Sequence, residues 1–178
     1  YLVDRTIPML PEKLCNELCS LKPNEDKLCY SAVFDLDDNA KVHKEWFGRT
    51  VINSNRRFTY EEAQEIIESQ SGELAEEILN VHNLAQVLRK QRFDNHAINF
   101  ETEEVKFKLD ENSKPIGVYL KVQKEANFLI EEMMLLVNRR VAEKIGKKSS
   151  KNKEIKTFVY RVHDEPIEDK LATFKNFV

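Results

Sequence analysis

Along the chain the apolar residues change their period several times, and each change marks an element. Leu28, Tyr30, Ala32, Phe34 and Leu36 alternate with Ser31, Val33 and Asp35, a period of two that predicts a strand. The polar run Asp37-Asp38-Asn39 predicts a turn into a second strand over 41–52, so the two form an antiparallel hairpin. Val105, Phe107 and Leu109 alternate again, Asn112 to Pro115 reads as a turn, and Val118, Leu120 and Val122 complete a second such pattern. Thr157 to Val162 reads as another strand. Period 3.6 appears over 73–92, where Leu74, Ile78, Val81, Ala85 and Leu88 share a face, and over 126–145, the most apolar stretch of the chain. Shorter helices are predicted over 12–21 and from Ile167 to Phe174.

One helix start is written out in full. Thr59 can accept from the amide three residues on, Glu62 can reach back to the Thr59 amide, and Phe58 precedes them as a candidate staple. This helix runs to about Glu68, and Ser71-Gly72 breaks it. Upstream, Pro8 and Pro11 keep the opening stretch extended. With no internal repeat and no interior Gly- or Pro-rich linker, the pattern describes an α+β chain forming one domain or part of one.

Composition narrows the class. The 178 residues are 41% hydrophobic and 33% charged, values of a soluble globular chain of cytoplasmic type. No run is apolar enough to span a membrane. The net charge of −3 argues against a purely electrostatic nucleic-acid binder but allows a basic groove on an acidic body. Charge is in fact segregated: 60–88 holds seven Glu and no Lys or Arg, whereas 139–156 holds Arg139, Arg140, Lys144, Lys147, Lys148, Lys151, Lys153 and Lys156. That basic stretch reads either as a phosphate-holding segment or as a solvated loop after a helix C-terminus. Cys15, Cys19 and Cys29 are an odd number without zinc spacing and read as reduced, packed thiols. The histidines lack metal spacing too, although His163 stands beside Asp164 at a predicted strand end.

The helix over 126–145 carries an anomaly. Glu131, Glu132 and Asn138 interrupt the apolar run LIEEMMLLVN, and Glu131 and Asn138, seven apart, share a stripe. A carboxylate on a buried face needs a cation, hydrogen-bond donors or a wet cleft. Two accounts fit: a pair with a core Arg or with backbone donors, or a functional carboxylate that accepts a ribose hydroxyl or helps hold a metal. Phosphate-loop, GxSxG and HExxH motifs are absent from the sequence.

Five strings, in this order, resemble the catalytic (RNB) domain of the ribonuclease II/ribonuclease R family. They are YLVDRTIPMLPEKLCNELCSL at 1–21, FTYEEA at 58–63, HAINFETEE at 96–104, LIEEMMLLVN at 129–138 and YRVHDEP at 160–166. Ribonuclease R resembles the chain more than ribonuclease II does, through FETEE and RVHDEP. The resemblance implies an internal, central portion of an RNB domain, incomplete at both ends. It implies processive 3′→5′ hydrolysis of single-stranded RNA to nucleoside 5′-monophosphates with magnesium, by a parent enzyme expected to be monomeric. By position, Tyr1 and Phe100 match the family's two aromatic clamp residues. Glu131 matches a carboxylate that contacts RNA near the scissile end, and Asn138 supports it. Stacking on aromatic rings grips any base, which suits a sequence-independent enzyme.

The departures shape the expectation. The family's aspartate cluster lies ahead of the position matched by Tyr1, so the chain is expected to hold no catalytic or metal-binding residue and to be inactive alone. Asp35, Asp37 and Asp38 imitate that cluster's spacing but fall in the predicted hairpin and read as turn residues. The downstream SPIRRY-type string is absent as well, and Cys15 stands where a serine is common. Self-association of the isolated piece is expected, and a non-catalytic RNA-binding module with a degenerate RNB domain is the alternative reading.

Overall fold

A computed structural model describes residues 2–98, 104–146 and 157–177. The chain divides into two compact units, 1–137 and 138–178. The architecture is α+β, with antiparallel hairpins and helices as the pattern predicts.

In the first unit, strands β1 (Asp26–Leu36) and β2 (Val42–Asn53) pair antiparallel, with Leu28 opposite Val51 and Phe34 opposite Glu45. On one face Phe34 and Phe47 meet edge to face at 5.7 Å, and on the other Ser31 Oγ and Thr50 Oγ1 share a hydrogen bond of 2.6 Å. The turn between them is built by Asp37. Its Oδ1 accepts from the amides of Asn39 and Lys41, both at 3.0 Å, and its Oδ2 meets His43 Nε2 at 2.8 Å. Asp37 is thus a turn residue, and Asp35 lies within β1, 3.8 Å from Lys44 Nζ.

The second hairpin, β3 (Glu104–Leu109) and β4 (Pro115–Lys121), reuses the same device. Asp110 Oδ1 accepts from the amides of Asn112 and Lys114, both at 2.8 Å. The five-residue turns Asp37-Asp38-Asn39-Ala40-Lys41 and Asp110-Glu111-Asn112-Ser113-Lys114 match in chemistry at every position but the fourth. Each has a left-handed fourth residue, Ala40 at φ 56° and Ser113 at φ 62°, and each follows a register shift one residue before its aspartate. Although the chain lacks repeats on the scale of domains, this turn occurs twice.

Helix α1 (Tyr60–Ser69) begins as its sequence dictates. Thr59 Oγ1 accepts from the Glu62 amide at 3.1 Å, and Glu62 Oε2 accepts from the Thr59 amide at 2.7 Å. The Thr59 amide and hydroxyl, then Arg56, hold the Glu62 carboxyl below its usual range. The ring of Phe58 lies under the Arg56 guanidinium at 4.8 Å. Gly72, at φ 132°, separates α1 from α2 (Ala75–Asp94) and admits a backbone that a side chain would strain. Helix α3 (Glu125–Gly146) carries the chain from the first unit into the second.

A buried glutamine joins α1 to the start of α3. Gln64 Oε1 accepts from the Ala126 amide at 3.0 Å, satisfying one of the orphan donors of the first turn. Its amide nitrogen donates to Glu68 at 2.9 Å, and Lys124 Nζ lies 3.5 Å from the same carboxylate. The buried apolar residues among those described are Ala40, Ile66, Ala85 and Ala126. Large side chains such as Leu28, Tyr30, Ile116 and Val118 remain exposed.

Two predicted elements differ. The short helix expected over 12–21 is narrower and of π type, Lys13–Leu18, closed by a bond from the Cys19 amide to the Leu14 carbonyl five residues back. Cys19 is exposed rather than packed, whereas Cys15 and Cys29 are half-buried, and all three thiols are free. In the second unit, residues 157–162 form no strand among the described residues. A strand needs a ladder partner, and Val159 and Val162 stand almost fully exposed instead. Tyr160 packs edge-on against Phe158 at 5.0 Å, and its hydroxyl lies where a side chain on Gly146 would stand. Helix α4 (Glu168–Phe177) closes the unit.

Candidate RNA-contact site on helices α2 and α3

The buried carboxylate of α3 is Glu132, and its cation is Arg92 from the last turns of α2. Arg92 Nε donates to Glu132 Oε1 at 3.0 Å and Nη2 donates to the same oxygen at 2.5 Å. The Glu132 side chain is 3% exposed and Arg92 24%, so the pair is largely withdrawn from water. Charge-assisted bonds of this kind are required there, because a carboxylate in such a place without its cation is costly. The bond to Glu132 raises the Arg92 pKa further, with smaller contributions from Glu131.

Arg92 Nη2 also donates to Glu131 Oε1 at 3.0 Å. Glu131 differs from its neighbour in access. Its side chain is 41% exposed, and Oε2 has no hydrogen-bond partner among the described residues. The ion pair with a core Arg and the presence of an accessible carboxylate are therefore both realised, by adjacent residues.

Cation–ring contacts brace the arginines, and Arg89 and Arg92 share the Phe93 ring. The Arg89 guanidinium lies 3.8 Å from the Phe128 ring centre, and Arg92 lies 5.1 Å from that of Phe93. The backbone beneath Arg92 is fixed as well. The Ala97 amide donates to the Arg92 carbonyl at 3.2 Å and the His96 amide to the Phe93 carbonyl at 3.0 Å, with His96 left-handed at φ 67°. This pair of bonds ends α2 in a Schellman motif. His82, one of the histidines without metal spacing, is buried on α2, with Nδ1 at 4.0 Å from Glu125.

A concavity of about 370 Å³ lies between α1, β4 and the start of α3, lined by Tyr60, Glu65, Tyr119, Lys121 and Lys124 among others. Among the described residues, no three His, Cys, Asp or Glu side chains gather as metal ligands. No described helix is long and apolar enough to cross a membrane.

Of the residues singled out from sequence, Tyr1 and Phe100 lie outside the described residues, as do Lys147, Lys148, Lys151, Lys153 and Lys156 of the basic stretch. Asn138 is exposed on α3 and makes no side-chain hydrogen bond among the described residues. His163 and Asp164 are exposed and are not joined by an ion pair. Sequence reasoning left a core Arg and backbone donors as alternative partners and did not identify Arg92. The available signal was Arg92 standing among charged residues at the end of an amphipathic helix.

The RNB domain model matches residues 1–178. The chain is 40% identical over 194 aligned residues to DIS3-like exonuclease 2 of Schizosaccharomyces pombe, covering 100% of this chain and 20% of that protein. It is 35% identical over 185 residues to ribonuclease R of Vibrio cholerae, covering 100% of this chain and 22% of that one. Among solved structures it superposes on Mycoplasma genitalium RNase R in complex with ribose-methylated single-stranded RNA. There the TM-score is 0.78 and the identity 27%, over 93% of this chain and 26% of that one. The chain thus spans about a fifth of the length of the curated relatives it matches. Matched from end to end by the family model and by relatives of this identity, the chain belongs to the RNB domain family.

Proposed function

We propose that this chain supplies the RNA-channel clamp of a processive 3′→5′ exoribonuclease, which hydrolyses single-stranded RNA to nucleoside 5′-monophosphates. The observation that carries the reading is the unbroken match to the RNB family over 1–178, with exonucleases and ribonuclease R among the relatives. Tyr1 and Phe100 hold the terminal bases by stacking, which is worth roughly 1–3 kcal/mol per base. Glu131 presents an acceptor to the ribose 2′-hydroxyl, and its half-exposed side chain, held at Oε1 by Arg92, supports that role. Asn138 assists from the same helix.

Catalysis belongs to the whole enzyme. The chemistry that bound magnesium would supply there is a water of lowered pKa. The described residues do not form a set that fits the ion, and no step of the hydrolysis is assigned to them. We expect the isolated chain to leave labelled RNA at full length in the presence of magnesium, and stepwise shortening from the 3′ end would refute this.

The clamp is tested in the full-length protein on a short end-labelled single-stranded RNA. Tyr1→Ala and Phe100→Ala should each change end-product length and slow single-turnover cleavage. The double variant should lose less than the sum of the singles, since both rings grip one stack. Unchanged products in both single variants would sink the assignment. Tight RNA binding by the full-length protein without any shortening would point instead to a non-catalytic RNA-binding module.

A further inference from the structure

Adjacent residues on a helix point about 100° apart, so Glu131 and Glu132 cannot occupy the same environment. One is buried and one is half exposed, yet a single guanidinium nitrogen, Arg92 Nη2, bonds to both. Glu132 receives two of the three contacts and anchors the arginine, while the third reaches Glu131 Oε1. The Arg92 backbone is pinned by the Schellman bond to its carbonyl, and its guanidinium lies against Phe93. Glu131 itself has little else to hold it, since its neighbours Ile130, Met134 and Leu135 are apolar and exposed. A free glutamate side chain spreads over several rotamers, and fixing it costs entropy at the moment of binding. An anchored guanidinium that already fixes one carboxylate oxygen leaves the other presented in one direction.

We propose that Arg92 is a positioning residue for substrate recognition, fixing Glu131 through Oε1 so that its second oxygen meets the ribose 2′-hydroxyl of the RNA strand. The inference rests on the reading of Glu131 as an RNA-contacting carboxylate and extends it to selectivity for ribose over deoxyribose. Charge alone is not sufficient for the task. The planar fork is what lets one residue bond to two carboxylates in fixed directions, and a lysine ammonium offers no such plane.

The test uses the full-length protein, measuring its affinity for a short single-stranded RNA and for the same strand with deoxyribose at its 3′-terminal positions, with thermal melts alongside. Glu131→Gln should reduce the preference for ribose. Arg92→Lys keeps the charge and should reduce the preference by roughly fivefold to tenfold, the scale of one lost hydrogen bond. Arg92→Lys combined with Glu131→Gln should lose no more than Glu131→Gln alone. Because a lone buried Glu132 can unfold the helix pair, the paired variant Arg92→Met with Glu132→Met removes both charges at once and should keep the fold while losing the preference. If Glu131→Gln reduces the preference but Arg92→Lys and the paired variant keep it, with only a lower melting temperature, Arg92 is structural and the inference falls while the reading of Glu131 stands. If Glu131→Gln itself leaves the preference unchanged, the reading fails and takes the inference with it.

Discussion

The two hairpins share a turn and differ in nearly everything else. Both turns place an aspartate carboxylate under two amides, a left-handed residue fourth and a lysine fifth, and both follow the same register shift. Their surroundings diverge. The first turn is docked on α2, where Gln91 Nε2 donates to the Asn39 carbonyl at 2.9 Å, and Ala40 is buried at 6% exposure. Its strands are 11 and 12 residues long and carry the Phe34–Phe47 pair. In the second, strands of 6 and 7 residues join at a turn that is exposed from Glu111 to Lys114, and nearly all of β4 faces solvent. Local chemistry is thus enough to set where a hairpin bends and how its strands register, whereas packing decides how firmly it is held.

The largest expected contrast comes from the strands. Phe34→Ala should cost about 2 kcal/mol, less than a fully buried phenylalanine because the ring is only half covered. Phe107→Ala, on a ring 46% exposed, should cost about 1 kcal/mol or less. Denaturant midpoints of the full-length protein, read by exchange of the strand amides, would check this. Equal losses would mean that both hairpins are equally well covered, which would end the comparison.

Next come the turns themselves. Asp110→Ala removes the acceptor of two amides and should cost about 1 kcal/mol of local stability. Asp37→Ala should cost more than Asp110→Ala, because it also releases His43 and loosens a turn on which α2 rests. Amide exchange at Asn39, Lys41, Asn112 and Lys114 reports each turn separately. A smaller loss in the first turn would contradict the docking argument.

Smaller effects sharpen the contrast. Ser113→Gly should stabilise the second hairpin by about 0.5 kcal/mol, relief of the left-handed backbone outweighing the added freedom of the unfolded chain. Ala40→Gly relieves the same strain but removes a buried methyl, so its net effect should be near zero. Melting curves of the two variants side by side would show a gain only for Ser113→Gly.

The smallest effect is one of pH. The hydrogen bond with His43, then the amides of Lys41 and Asn39, hold the Asp37 carboxyl below its usual range. A depressed folded-state pKa means that the carboxylate's contribution is complete above its unfolded value and is lost as pH falls through the folded one. The first turn should therefore loosen only in acid, below about 3.9. His43→Phe should shift the midpoint back toward that value, followed by the amide shifts of Asn39 and Lys41. An unchanged midpoint would remove His43 from the account.

What this sequence determined by itself is whatever rests on neighbours a few residues apart. Thr59 and Glu62 announce α1 because both capping bonds close within three residues. Alternation places β1 through β4, since a strand's two faces are set residue by residue. The repeated Asp-x-Asn-x-Lys turn was equally legible, being local, although only its turns and not their identity were read. The family resemblance named Glu131 from its surrounding string. Tertiary structure decided what depends on distant partners. It buried Glu132 rather than Glu131 and chose Arg92, 40 residues upstream, as the cation. It lent Gln64 to the amide of Ala126, 62 residues on. It left 157–162 without a strand, because an alternating pattern becomes one only when another segment supplies the ladder, and no alternation along one segment specifies that segment.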